Sequence, residues 1–272
     1  MSSSKPILIA GAGSVGQAFA GLLAHCGEPV TLLASKRTAA SLRAAGGIRL
    51  AGHLDEVITV ADPPAQEGTV GLLDEPGQVT EAQGIIFTSK GQDLPGLARS
   101  LGHVNTGWAL GLQNGVVKND VLAAVFGESK VLGAATMIIA ARQEDGQIAL
   151  ASPAITFVGE LSGEKSQRVE DLASRLNRAG ITAVIPDDIR SVEWTKACNA
   201  AGAFAVAALT RTPMVQMMRN RDYARAFLSL AQEVAAIAAA YGVEVREHQG
   251  LTVGGFVTLP LDEAVDAMLE HR

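Results

Sequence analysis

The sequence predicts an α/β fold, a doubly wound sheet followed by an all-helical domain, on three observations. A short apolar run, Ile7-Leu8-Ile9-Ala10, leads directly into Gly11-Ala12-Gly13-Ser14-Val15-Gly16. Strand-like and helix-like patterns then alternate through the first two thirds of the 272 residues, as a parallel sheet covered on both faces requires. After Ile185-Pro186-Asp187-Asp188 the pattern changes to long helices without strands. A boundary near residue 187 follows, with one domain at 1–187 and a second at 188–272.

Strands are expected near Ile7–Ala10, Val30–Ala34, Gly84–Ser89, Trp108–Gly111, Val131–Ile139 and Ile155–Val158, where apolar runs are bounded by turn residues. Helices fit between them at Val15–Cys26, Ala39–Ala45, Leu94–Leu101 and Lys118–Phe126. The stretch Gly46 to Thr80 carries alternating residues and Pro63-Pro64, and reads as extra edge structure rather than a linker. In the second domain, helices are expected over Ile189–Leu209 and Asp222–Tyr241. Ala224, Phe227, Leu228, Ala231, Val234, Ala235, Ala238 and Tyr241 keep a three-and-four spacing, so this stripe serves the core or a contact between two copies, a homodimer.

An apolar content of 48% and a charged content of 18% describe an ordinary globular chain, long enough to bury a substantial core. The formal charge of −6 argues against nucleic acid or an anionic membrane as the main partner, since both reward positive charge. The two cysteines, Cys26 and Cys198, sit in apolar helical patterns and suggest neither a disulfide framework nor a zinc site. Ser2-Ser3-Ser4-Lys5-Pro6 leads straight into the first strand without the three parts of a secretion signal, so a reducing, cytoplasmic setting is expected. The alanine-rich stretches Ala200–Leu209 and Val234–Tyr241 are too short for about 30 Å of hydrocarbon and read as buried helices.

Three glycines at this spacing after a strand are the signature of a dinucleotide-binding turn of Rossmann type. Gly11 allows the tight turn, Gly13 lets the backbone approach a pyrophosphate, and Gly16 lets the following helix pack closely on the sheet. The amides from Ser14 and Val15 to Gln17 then present the positive end of the helix dipole to phosphate.

Ligands of an open parallel sheet sit beyond the carboxyl ends of its strands, which gives weight to polar residues placed there. After the second strand, Ser35-Lys36-Arg37 stands where an acidic residue would hold the ribose hydroxyls of NAD. A hydroxyl and two cations suit a 2′-phosphate instead and point to NADP, the alternative being a solvated charged loop. After the strand at 84–88, Lys90 can neutralise cofactor phosphate or approach a substrate, and Gln92 can donate to either. After Trp108–Gly111, Asn114 offers a donor and an acceptor near the nicotinamide end, although Asn114-Gly115 is also a routine turn pair.

The strongest catalytic candidate is Lys196, in Glu193-Trp194-Thr195-Lys196-Ala197-Cys198-Asn199 on the first helix of the second domain. Glu193, Lys196, Asn199 and Ala203 share one helical face, and the surrounding alanines leave room for a ligand. Hydride delivery to a ketone leaves charge on oxygen, and a lysine supplies both a cation and a proton. The competing expectation is an exposed lysine paired with Glu193. The five histidines, His25, His53, His103, His248 and His271, show no metal-ligand spacing, so no metal is expected and a histidine acid is disfavoured.

Gly11-Ala12-Gly13-Ser14-Val15-Gly16, Lys90-Gly91-Gln92, Leu112-Gln113-Asn114-Gly115 and Glu193-Trp194-Thr195-Lys196, in that order, resemble the signposts of the ketopantoate reductase family over most of the chain. The resemblance implies an NADPH-binding Rossmann domain, a helical second domain and reduction of 2-dehydropantoate to pantoate in coenzyme A synthesis. It implies that Lys196 polarises and protonates the keto oxygen; Asn199, an asparagine displaced from the expected position, is a candidate substrate contact. It further implies that Asn114 lies beside the nicotinamide ribose and substrate, and that Lys90 serves the cofactor. Two departures bear on the substrate. Asparagines four and eight residues after the lysine are replaced here by Ala200 and Phe204, which alters the substrate floor. A Ser-Ser-Met-x-x-Asp segment and a later glutamate are expected beyond His271-Arg272, so the substrate end is read as truncated or diverged. The expected activity is reduction of a small 2-oxo acid, with ketopantoate leading. A reductase of another 2-oxo acid or an imine, and a non-catalytic NADP-binding sensor or subunit, are the alternatives.

Overall fold

Ile7–Ala10, buried at every position, is the central strand of a nine-stranded sheet. The computed structural model describes residues 5–52, 54–63, 66–151, 155–217 and 219–270; Ser2, Ser3, Ser4, His53, Pro64, His271 and Arg272 of the readings above lie outside them. Spatially the sheet runs Ala183–Val184, Thr156–Glu160, Val131–Thr136, Ala109–Gly111, Gly84–Phe87, Ile7–Ala10, Val30–Leu33, Val70–Leu73, Val60–Ala61. Alternate residues of the central strands enter different layers. Ile7, Ile9 and Ile86 pack with the helix Ser14–His25 on one face, and Leu8, Ala10, Ile85 and Phe87 with Leu94–Ser100 on the other. That coverage of both faces is why these strands read as unbroken apolar runs.

Several expectations need correction. The sheet is parallel as far as Val131–Thr136, with which Thr156–Glu160 pairs antiparallel; Ala183–Val184, parallel to Thr156–Glu160, is reversed with it. Between Val131–Thr136 and Thr156–Glu160 the chain makes a short antiparallel excursion, Ala140–Arg142 with Ile148–Leu150, and no helical crossover, so it returns in the opposite direction. The strand expected to reach Ile139 stops at Thr136, where the Thr136 hydroxyl accepts from the Ile138 amide at 3.2 Å and turns the chain out of the ladder. Residues 46–80 are only partly edge structure. Ile48–Gly52 and Glu56–Ile58 join the excursion strands in a separate four-stranded sheet, whereas Val70–Leu73 is a buried parallel neighbour of Val30–Leu33. An unforeseen helix, Gln167–Arg178, buries Val169, Leu172, Ala173 and Leu176, a three-and-four spacing that was present in the sequence.

The chain divides into two compact units. The first comprises Met1–Gln113 and Val117–Asp187, the second Asn114–Val116 and Asp188–Arg272. The second unit is built on the helices Ile189–Thr210 and Arg221–Ala240. They approach closely because Gly202 has no side chain: a Cβ there would stand 2.6 Å from the Phe227 carbonyl oxygen. Ala224, Phe227, Leu228, Ala231 and Ala238 of the expected stripe are buried in this unit's core, while Tyr241 is exposed and meets the Trp194 ring at a centroid distance of 5.8 Å. No helix among the described residues is long and apolar enough to cross a membrane.

Candidate active site

The central strand pairs with Val30–Leu33 on one side and Gly84–Phe87 on the other, and the chain leaves the carboxyl ends of both partners toward opposite edges of the sheet. Such a switch point opens a crevice, and Gly11 and Thr88 emerge into it. Gly11 has φ +120°, a conformation that disfavours any side chain, and a Cβ there would lie 2.8 Å from the Ser89 amide nitrogen. Gly16 is even more confined, since its Cβ would meet the Gly11 carbonyl oxygen at 1.9 Å and Thr88 Oγ1 at 2.5 Å. Gly13 differs from both: the nearest atom to a Cβ there is the Thr88 carbonyl oxygen at 4.0 Å, so the space beside its backbone is open. Two glycines therefore hold the turn together and the third keeps a cradle empty.

The helix behind this turn, Ser14–His25, has Gly13 as its N-cap, no side-chain cap and no acidic residue in its first turn. Its leading amides and its dipole are thus left for an anion. Around it lie residues that the sequence reading did not single out. Thr88 Oγ1 donates to the Gly11 carbonyl at 2.6 Å, and buried Gln17 donates through Nε2 to the Ala12 carbonyl at 2.8 Å. Buried Gln113 donates to the carbonyls of Phe87 and Ser89 at 3.1 and 3.2 Å, joining the ends of two neighbouring strands. The buried Oε1 of Gln113 and Oγ of Ser89 have no hydrogen-bond partner among the described residues. A polar hydroxyl or amide directly after a strand was the available signal for all three strand-end residues.

Ser35 is the N-cap of the helix Lys36–Ala44, its Oγ accepting from the Thr38 amide at 3.3 Å. This helix starts three residues before the expected Ala39, so Lys36 and Arg37 occupy its first turn and are not part of a loop. Lys36 pairs with Glu75 at 2.7 Å, which raises its pKa, both groups being largely solvated. Arg37, Lys90, Gln92 and Asn114 are exposed and, like Ser14, make no side-chain hydrogen bond or ion pair among the described residues.

In the second unit, Asp188 caps the helix Ile189–Thr210 by accepting from the amides of Arg190 and Ser191. Ser191 donates to the Glu244 carbonyl at 2.6 Å, and fully buried Thr195 to the carbonyls of Ser191 at 2.8 Å and Arg246 at 3.0 Å. These bonds fix the rotation of the helix at the residue before Lys196. His248 Nε2 lies 3.0 Å from Ser191 Oγ, and burial, reinforced by Arg246, lowers its pKa. Lys196 and Asn199 are half-buried, Glu193 and Ala203 buried, and the Asn199 amide makes no hydrogen bond among the described residues. Asn114 is grouped with this unit and so shares it with Lys196.

A doubly wound sheet with a glycine cradle at its switch point and an uncapped helix behind it marks an α/β protein of the dinucleotide-binding oxidoreductase class. The chain belongs to the ketopantoate reductase family: the profile for ketopantoate reductase PanE/ApbA matches residues 7–163, and the profile for its C-terminal part matches 188–272. Ketopantoate reductases use NADPH. A curated relative, the 2-dehydropantoate 2-reductase of Archaeoglobus fulgidus, is 27% identical over 238 residues, covering 88% of this chain and 75% of its own. Among solved structures, a 2-dehydropantoate 2-reductase from Geobacter metallireducens superposes with a TM-score of 0.78 at 20% identity over 97% of this chain and 82% of its own. A ternary structure of D-mandelate dehydrogenase with NADH and anilino(oxo)acetate reaches 0.77 at 18% identity, over 97% and 79% of the two chains. At such identities the likeness of structure speaks to the fold.

Proposed function

We propose that this protein reduces a 2-oxo acid with NADPH, 2-dehydropantoate being the leading substrate, and that Lys196 protonates the keto oxygen. The first domain, 1–187, is the nucleotide-binding part and the second, 188–272, the substrate-binding part. The observations that support the reading are an open Gly13 cradle in the first unit and, in the second unit by itself, a half-buried Lys196 on a rotationally fixed helix. Both halves of the family profile match across these same residues.

Gly11, Gly13, Ser14, Val15 and Gly16 would hold the pyrophosphate through backbone amides. Ser35, Lys36 and Arg37 would take the 2′-phosphate, Lys36 exchanging Glu75 for it, and a guanidinium suits such a group through paired hydrogen bonds. Lys90, Gln92 and Asn114 would orient the remainder of the dinucleotide. A bound reduced nicotinamide supplies a hydride. As C2 of the 2-oxo acid becomes tetrahedral, its oxygen gains the electron pair of the carbonyl π bond, and the Lys196 ammonium stabilises that charge and transfers a proton to it. The products are the 2-hydroxy acid, a neutral lysine that regains its proton from solvent, and the oxidised cofactor. Asn199, whose amide is uncommitted, would hold the substrate carboxylate. Family membership and the free thiols Cys26 and Cys198 support a cytoplasmic setting.

The test is NADPH oxidation, followed at its absorbance, with a panel of 2-oxo acids that includes 2-dehydropantoate. Turnover of at least one branched 2-oxo acid is expected. Tight NADPH binding with no turnover on any member would leave a nucleotide-binding sensor in place of a reductase.

A further inference from the structure

At the end of the sheet opposite the glycine turn, a cavity of about 230 Å³ lies between the amino ends of Gly84–Phe87 and Ala109–Gly111 and the helix Gln167–Arg178. We propose that this cavity, which no step of the reduction uses, binds a free α-amino acid with an apolar side chain. Part of its wall is fixed. The Gln83 amide nitrogen donates to the Pro6 carbonyl at 2.9 Å, and the Gln83 carbonyl accepts from the Gly107 amide at 3.1 Å. The buried Trp108 ring lies across Gly84, where a Cβ would stand 2.0 Å from it. Every nitrogen of the Arg168 guanidinium is committed: Nε and Nη2 to the two Glu160 oxygens at 2.6 Å, Nη1 to the Gly107 carbonyl at 3.3 Å.

The remaining polar groups are not committed. Arg175 donates to Glu28 through Nη1 alone, which leaves Nε and Nη2 for a ligand. Asp171 accepts from Gln167 at 2.9 Å through Oδ1 and makes no ion pair among the described residues, because Arg175, four residues on, turns to Glu28 instead. The side-chain amide of Gln83 and the indole N–H of Trp108 make no hydrogen bond among the described residues, and Gln83 Oε1 is buried. A buried acceptor with nothing to accept is costly and marks a place for a donor. The guanidinium and indole nitrogens suit a carboxylate, the Asp171 and Gln83 oxygens suit an ammonium, and Leu172 with the indole ring supplies apolar surface. A small molecule carrying both charges and a hydrocarbon branch is an α-amino acid. A simple carboxylate would leave Asp171 unpaired, and a phosphate would face it with like charge. The space equals about seven water volumes, enough for leucine and too small for a nucleotide.

The probes are L-leucine, 4-methylpentanoate, which lacks its ammonium, and 3-methylbutylamine, which lacks its carboxylate. Trp108 and Trp194 are the two tryptophans of the chain, so Trp194→Phe leaves the indole of the cavity as the only one. Its fluorescence should change saturably with leucine, at half-saturation below about 1 mM, and both analogues should bind about tenfold more weakly. Asp171→Asn, at an exposed helical position, should weaken leucine by about tenfold and leave 4-methylpentanoate within about threefold. Half-saturation above about 1 mM overturns the proposal, as does a difference below about threefold between leucine and either analogue, or between the parent and Asp171→Asn. Displacement of leucine by NADPH or by 2-dehydropantoate assigns it to the reductase crevice and also overturns the proposal. If Trp194→Phe fails to fold, the heat of binding to the unmodified chain is read against the same thresholds.

Discussion

The glycine turn and the Lys196 helix carry their roles by opposite means. Around Gly11 the groups offered to a ligand belong to the backbone, and the side chains nearby, Thr88, Gln17 and Gln113, are spent on holding carbonyls in place. Around Lys196 the backbone is sealed within a helix, and everything offered is side chain: an ammonium and the Asn199 amide. A backbone site tolerates little change because it depends on the absence of atoms. A side-chain site can be re-specified one residue at a time.

The sharpest way to break this contrast is inside the turn itself. Gly16→Ala places a methyl 1.9 Å from the Gly11 carbonyl oxygen, and backbone cannot yield as a side-chain tip does. A loss of about 3 kcal/mol or more in urea unfolding is expected. Gly13→Ala meets no atom nearer than 4.0 Å at an ordinary φ of −72°, so its unfolding midpoint should stay within about 0.5 kcal/mol of the parent. Its affinity for NADPH should nevertheless fall about a hundredfold, because the methyl fills the cradle. Equal stability losses in the two variants would contradict the division of labour among the glycines.

A smaller effect is expected where the first unit uses side chains after all. Replacing Lys36 and Arg37 together by alanine should weaken NADPH by about tenfold and NADH hardly at all, measured by fluorescence titration. Equal loss for both nucleotides would retire the 2′-phosphate assignment. The least effect concerns a structural pair in the same unit. Burial by itself would raise the Glu160 carboxyl, but hydrogen bonds from Arg168 and Ser166 outweigh it and hold the pKa below its ordinary 4.5. The stabilisation is therefore complete above pH 4.5 and is lost as the pH falls through the lower folded value. Arg168→Met should cost about 1 kcal/mol at pH 7, and the difference from the parent should shrink below that range in acid unfolding curves.

What the sequence disclosed follows the same contrast. The glycine spacing, the central strands and the helices at 118–126 and 189–210 were legible because each depends on a local period or on residues a few positions apart. The reversal of Thr156–Glu160 was not, since direction in a sheet is fixed by a connection's path and not by the strand's own residues. Val70–Leu73 is only four residues, and its partner Val30–Leu33 lies forty positions away in sequence. The role of Gln113 was hidden in a dipeptide that draws the eye to Asn114, although only the former is locked onto neighbouring strands.

The central claim is that Lys196 is the proton donor. Steady-state kcat/KM for the preferred 2-oxo acid, measured on the parent and on Lys196→Ala with the far-ultraviolet spectrum and NADPH affinity as controls for folding, tests it most directly. A loss of about a hundredfold or more with NADPH binding intact is expected. A loss below about tenfold, roughly 1.4 kcal/mol of barrier, would show that the proton comes from elsewhere.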